Sequence, residues 1–345
     1  MPANLDPQFL KIAPGRAISR LIGYSLFEGR PLTTKGRWWN PVVFANLRLA
    51  SRWPHRTVEQ PVFVLGMGRS GTTLLGQVVA AHPWVGFLNE PKAIWHCIRP
   101  DEDIIGSYAP IGTGRLYLDA GDANPAVVQR AHAMLSWYLR MSRSRRVVDK
   151  YPELIFRTGF VRAIFPDARF LIAIRSPDRV LPSVAAWSDS HQRDGADWWG
   201  ARDQKWEVIW REAVEGREGN SDIGALNLGG ETDDCVKAAV EWLVTAREGL
   251  ELARRDPLAM VVRHEDLVHS PRPTVARILE FCGLPSSPRT ERYAEAVVRP
   301  GSANGRRRGA DPSFPGEMDA LLAETWREFA GRHDDAPAGP ETVTS

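Results

Sequence analysis

Residues Pro61-Val62-Phe63-Val64-Leu65-Gly66-Met67-Gly68-Arg69-Ser70-Gly71-Thr72-Thr73-Leu74-Leu75-Gly76 constrain this chain more than any other stretch. An apolar strand runs into a glycine-rich turn, and the turn runs into a helix. Such a unit belongs to an α/β sheet whose ligands bind at the strand ends. The spacing is close to the phosphate-loop pattern G-x-x-x-x-G-K-[ST]. Gly66, Gly71 and the Thr73 hydroxyl are in place, but Thr72 stands where that pattern has lysine. The positive charge lies three residues earlier, at Arg69. Backbone N–H groups of Gly68 to Gly71, with the hydroxyls of Ser70, Thr72 and Thr73, are suited to phosphate oxygens. The arrangement differs from the one that grips a triphosphate with Mg²⁺.

Alternation continues downstream. Strands are expected at Val62–Leu65, Val85–Leu88, Val147–Lys150, Phe170–Ile174 and Leu258–Val262. Helices are expected at Gly71–Ala81, Pro125–Met141, Glu153–Ile164, Pro177–Trp187, Asp234–Arg255, Pro273–Cys282 and Glu317–Phe329, from apolar spacing and end signals. Ser176 is the expected cap of the Pro177 helix, and Gly283 the C-cap after Cys282. Strands apolar on both faces imply a central parallel β-sheet flanked by helices. We divide the chain into a helical extension (1–56), a main domain (57–335) and a disordered tail (336–345). A Trp-rich insertion at 190–233 interrupts the main domain.

Composition narrows the function classes. With 345 residues and 43% hydrophobic content, a sizeable core needs no cross-links. A net charge of +2 gives no global field for nucleic acid. Cys97, Cys235 and Cys282 are far apart, which suits a reducing compartment rather than a disulfide or zinc framework. No stretch has the length of a transmembrane helix, and the N-terminus lacks a signal-peptide core, so a cytoplasmic location is expected. Ile18–Phe27 reads as a helix packed on the main domain, with amphipathic docking as the alternative.

Four segments leave the carboxyl ends of the expected strands: Gly66–Thr73, Asn89–Lys92, Asp149–Pro152 and Arg175–Asp178. Arg175 with Ser183, eight residues on, can grip a second phosphate. Taken together, these residues resemble the sulfotransferases that use 3′-phosphoadenosine 5′-phosphosulfate (PAPS). The branch most resembled includes tyrosylprotein sulfotransferases and bacterial small-molecule sulfotransferases. Further likeness lies in Ala81-His82-Pro83, Asn89-Glu90-Pro91-Lys92, Asp149-Lys150-Tyr151-Pro152 and Arg263-His264-Glu265-Asp266-Leu267. It runs through about residues 60–285 and leaves out the extension and the insertion.

The resemblance implies a P-loop-NTPase-like sulfotransferase fold. It also implies PAPS as donor, PAP as product, no metal, and a small-molecule hydroxyl acceptor (carbohydrate, lipid or natural product). Gly68, Arg69, Ser70, Gly71, Thr72 and Thr73 would hold the 5′-phosphosulfate, and Arg175 and Ser183 the 3′-phosphate. Glu90 matches the general base, and Lys150, helped by Arg69, would neutralise the leaving oxygen. His96 and His191 are the reserve bases. Glu90 as a surface carboxylate, or as a partner of Lys92, is the plainer alternative. The Trp198–Trp210 cluster is assigned to a lid, and Arg306–Arg308 to closure over the phosphates or to a solvated loop. An atypical P-loop kinase with Asp149 on a metal, and a non-catalytic nucleotide-binding module, are the competing functions. Homo-oligomerisation stays open.

Overall fold

The computed structural model describes residues 5–54, 56–191, 195–226, 228, 232–298 and 316–331. Seven strands order the fold: β1 (Val62–Gly66), β2 (Val85–Asn89), β3 (Arg146–Lys150), β4 (Arg169–Ile174), β5 (Ala196–Asp197), β6 (Gly200–Ala201) and β7 (Ala259–Arg263). Three helices precede β1: α1 (Pro7–Ile12), α2 (Pro14–Leu26) and α3 (Asn40–Arg52). Between β1 and β4 lie α4 (Thr72–Ala80), α5 (Lys92–Ile98), α6 (Pro125–Met141) and α7 (Thr158–Ile164). Between β4 and β7 lie α8 (Pro177–His191), α9 (Gln204–Ile209), α10 (Ser221–Gly224) and α11 (Asp234–Arg255). The described chain closes with α12 (His264–His269), α13 (Pro271–Phe281), α14 (Pro288–Val297) and α15 (Gly316–Gly331).

Five strands form one parallel sheet in the order β2-β3-β1-β4-β7. Alternation along β1 explains its double burial. Val62 and Val64 pack with Leu75, Val78, Val79 and Ile278 on one face. Phe63 and Leu65 face the second core, with Trp95, Leu135 and Trp242. The chain moves from β1 to one side of the sheet, returns through β3, and then crosses to β4 on the other. β1 is therefore the strand at which direction reverses, and ligands gather outside such a point.

The extension belongs to this architecture. Helix α2 lies along β2, the edge strand, where Arg20 Nη1 donates to the Phe87 carbonyl at 3.4 Å. Arg20 also forms a buried ion pair with Glu28. Covering a strand edge satisfies groups that would otherwise invite a foreign strand.

Element ends moved for local reasons. Glu153–Ile164 is not one helix, because Pro152–Arg157 forms a 3₁₀ turn before α7. Arg157 is fully buried there, donating to the Leu116 carbonyl at 3.0 Å and pairing with Glu102 at 3.0 Å. β7 starts one residue later than expected, since Asp256 closes a turn onto the Leu258 amide at 2.8 Å. α13 starts two residues early, on Pro271 at its first turn. Ser176 closes the first turn of α8 through its carbonyl, which accepts from Arg179 N at 3.1 Å and Val180 N at 3.2 Å. α5, α12 and α14 were not expected. The last had a readable start, a Ser287 cap accepting from Thr290 N at 3.3 Å. Arg306–Arg308, the tail and part of the insertion lie outside the described residues.

Candidate active site

Gly68–Thr73, Glu90, Lys150, Arg175 and Ser183 lie at or beyond the carboxyl edge of the sheet. Parallel register sets their order: Asn89 is opposite Lys150, Lys150 opposite Val64, Gly66 opposite Ala173, and Ile174 opposite Arg263. Glu90, Lys150, the glycine turn, Arg175 and His264 therefore follow one another across the edge.

Two features shape the glycine turn. Gly71 has φ +88°, and a Cβ there would collide with His264 Nδ1. A Cβ on Gly68 would collide with the Trp198 ring. The first demands glycine by conformation as well as space, the second by close approach. Arg69, between them, is itself left-handed at φ +68°. That backbone is uncommon for a bulky side chain and costs about 1–3 kcal/mol, so the surroundings must enforce it. Its Nε donates to Ser183 Oγ at 2.9 Å. Arg175 Nη1 approaches the Arg69 carbonyl at 3.5 Å. The structure thus brings Arg69, Arg175 and Ser183 together.

Positive charge converges here with little to offset it. Burial, then neighbours including Arg69, lowers the Arg175 pKa, with Glu265 opposing. Burial, then Arg175, lowers that of His264 to about 4, so its imidazole is neutral at pH 7. Ser70 is 1% exposed. Ser70 Oγ and His264 Nδ1 are buried without hydrogen-bond partners among the described residues. Orphaned buried polar atoms are rare and call for a reason. A phosphate beside two arginines supplies one, so these residues fit an anionic nucleotide.

The other half of the edge is already paired. Glu90 and Lys150 form an ion pair between carboxylate and ammonium. The Glu90 amide also donates to the Lys150 carbonyl at 2.6 Å. Glu90 has φ +50°, the second strained residue at this edge. Lys92 pairs instead with Glu153, at 3.1 Å, which corrects the Glu90–Lys92 alternative. Glu28 holds the turn from behind: its carboxylate accepts from Asn89 N at 2.7 Å and its carbonyl from Ala93 N at 3.2 Å.

Asp149 does not reach the edge. It is fully buried and accepts from Trp95 Nε1 at 2.8 Å, and burial pushes its pKa up to about 8. A neutral carboxyl facing the core is poorly suited to hold a divalent cation. His96 packs among Phe44 and Tyr108, and exposed His191 stacks on Trp187 at 4.7 Å. Neither histidine contacts Glu90 or Lys150.

The Trp-rich stretch is a short hairpin, β5–β6, followed by α9 and a wide turn over Trp210–Glu215. Trp199 is fully buried, donating to Asp234 at 2.8 Å. Trp198 instead projects over Gly68, its Nε1 held by Glu241 at 2.7 Å and its ring faced by Lys205 at 4.5 Å.

Residues 61–225, just under half of the chain, match the sulfotransferase family. Over that segment the chain is similar to sulfotransferases. Nodulation protein NoeE of Sinorhizobium fredii is 24% identical over 230 residues, covering 64% of this chain and 49% of that relative. The chain thus spans about half the length of NoeE. Among solved structures it is similar to sulfotransferase STF1 of Mycobacterium tuberculosis H37Rv (17% identity, TM-score 0.46, covering 95% of this chain and 94% of that one). It is also similar to mouse sulfotransferase SULT7A1 complexed with PAP (12%, TM-score 0.39, 82% and 88%).

Three residues at the edge of the sheet were not singled out for the site individually. His264 stood only inside a motif of family likeness, Trp198 only inside a lid cluster, and Glu28 in no motif at all. Only the burial of Gly71 against a histidine and of Gly68 against an indole makes the first two visible.

Proposed function

We propose that this chain transfers a sulfuryl group from PAPS to a hydroxyl of a small molecule: a carbohydrate, a lipid or another natural product. One observation carries the reading. A carboxylate–ammonium pair, Glu90–Lys150, stands beside an anion-binding turn, and Arg175 and Ser183 stand on its other side.

The turn from Gly68 to Thr73 would hold the 5′-phosphosulfate, and Arg175 with Ser183 the 3′-phosphate. When bound, the donor supplies an activated sulfuryl group. Glu90 takes the proton of the acceptor hydroxyl as its oxygen attacks sulfur, because an alcohol is a weak nucleophile until a positioned base relieves it of that proton. The new O–S bond forms as the old one breaks, and the electron pair leaves on the phosphate oxygen. Lys150 and Arg69 offset that charge, the usual largest contribution in group transfer. Free cysteines support a reducing, cytoplasmic setting.

The test supplies purified chain with ³⁵S-labelled PAPS and a panel of hydroxyl compounds. Label should move to an acceptor with matching release of PAP and without added Mg²⁺. Label that stays on the donor with every acceptor, while ATP and Mg²⁺ give phosphorylated product, would install the kinase reading instead.

A further inference from the structure

Exposed apolar side chains are unevenly distributed. Of the eight large ones among the described residues, seven lie between Leu10 and Trp53: Leu10, Ile18, Leu21, Trp38, Val42, Leu49 and Trp53. Four of these frame one helix. On α3, Val43, Leu47 and Ala50 are buried inward, while Pro41, Val42, Ala45, Arg48, Leu49 and Arg52 are exposed outward. Trp38, 79% exposed, and Trp53, 41% exposed, bracket its ends.

The charge around this face is one-sided. The sequence has no acidic residue between Glu28 and Glu59, yet holds Arg30, Lys35, Arg37, Arg48, Arg52 and Arg56. Arg48 and Arg52 engage no carboxylate among the described residues. Arg140 of α6 adds a cation over the Trp53 ring at 5.8 Å. The chain as a whole is only +2.

We propose that the outward face of α3 docks on an anionic lipid surface. A helix lying flat, with arginines among its apolar residues and tryptophans at both ends, matches the interfacial zone of a bilayer. Charge complementarity favours anionic headgroups, each arginine near the surface adding to binding. A second copy of the chain is disfavoured, because a two-fold contact would set this acid-free face against itself. Among the described residues no helix is long and apolar enough to cross a membrane. The face would lie on a bilayer without spanning it, and the inference does not depend on the reaction proposed above.

The test is co-sedimentation of the full chain with phosphatidylcholine vesicles, with and without phosphatidylglycerol. Binding should require phosphatidylglycerol and weaken with salt. Leu49→Asp should remove it, and Arg48→Glu with Arg52→Glu should weaken it roughly 30-fold. Ile111→Asp, at an exposed apolar position outside the extension, should leave it unchanged. Absence of binding, or binding that ignores both α3 variants, overturns the proposal. So does an ultracentrifugation result in which Leu49→Asp turns a dimer into a monomer without any vesicle binding, because the face would then belong to a second copy.

Discussion

The two sides of the glycine turn differ in how their cations are matched: Lys150 has a paired carboxylate, while Arg69 and Arg175 form no ion pair among the described residues. On the β2–β3 side, Glu90 holds Lys150, its amide is taken by the Lys150 carbonyl, and Glu28 holds the turn from behind. On the β4–β7 side, Arg175 lies against the Arg69 carbonyl, and Ser70 Oγ, His264 Nδ1 and Glu265 Oε2 are buried without partners among the described residues, as Asn89 Oδ1 is on the first side, while Glu265 Oε1 accepts from Ser176 N at 3.2 Å. One side holds its carboxylate and ammonium already paired, which suits the proton transfer proposed for Glu90. The other carries Arg69 and Arg175, and on the function proposed above a bound phosphate would complete it.

Removing the carboxylate from the assembled side should have the largest effect. Glu90→Gln keeps the shape and should lower turnover about 10²- to 10⁴-fold, the usual span for a lost general base. Its dissociation constant for PAP should stay within about twofold, since Glu90 lies on the other side of the comparison. Equal losses in both would dissolve the distinction between the halves.

Arg175→Ala attacks the open side. By titration calorimetry it should weaken binding of a 3′,5′-bisphosphate nucleotide roughly 10- to 100-fold, as loss of a charge-assisted hydrogen bond does. Binding of 5′-AMP should barely change, and a matching loss for both nucleotides refutes a role at the 3′-phosphate.

Gly68→Ala tests the boundary. The added methyl meets the Trp198 ring, so the acceptor KM should rise about tenfold as the hairpin is displaced. Trp198→Ala in the same chain should relieve the clash and bring the acceptor KM back toward that of Trp198→Ala alone. If Gly68→Ala is silent alone, the hairpin does not bear on the turn.

The smallest effect concerns Asp149, behind the edge. Burial raises its pKa to about 8 in the folded chain, against ~3.9 unfolded. Between those values the unfolded state releases a proton that the folded state keeps, so this group's contribution to stability falls as pH rises from about 4 to about 8. Asp149→Asn cannot ionise and still accepts from Trp95. Its melting temperature relative to the parent should therefore rise between pH 5 and pH 8, by about 2–4 °C. A constant difference across that range would mean that Asp149 is already charged.

Much of the sheet was legible because its strands are apolar on both faces, and the turn because its glycines and hydroxyls are contiguous. The partner of Ser183 was not legible: the sequence pairs it with Arg175, whereas Arg69 Nε donates to it at 2.9 Å. What escaped depends on contacts between distant segments. Glu28 meets Asn89 across 61 residues. The preference of Glu90 for Lys150 over its near neighbour Lys92 follows from strand adjacency, which single-chain spacing does not encode. Five residues of the expected helix, Glu153 to Arg157, form a 3₁₀ turn instead, with the buried Arg157 guanidinium held by tertiary hydrogen bonds that no propensity anticipates.

The Glu28 contact has a practical side. A gene fragment trimmed to begin near residue 57 would look complete by motif, yet it would lack the carboxylate that fastens the Asn89 amide. Such a fragment would still display the glycine turn and Arg175, so nucleotide capture is the property it should retain best. The Asn89–Glu90 corner would have lost its anchor. Fusions, tags and domain swaps should therefore treat the first helices and the second strand as one inseparable piece.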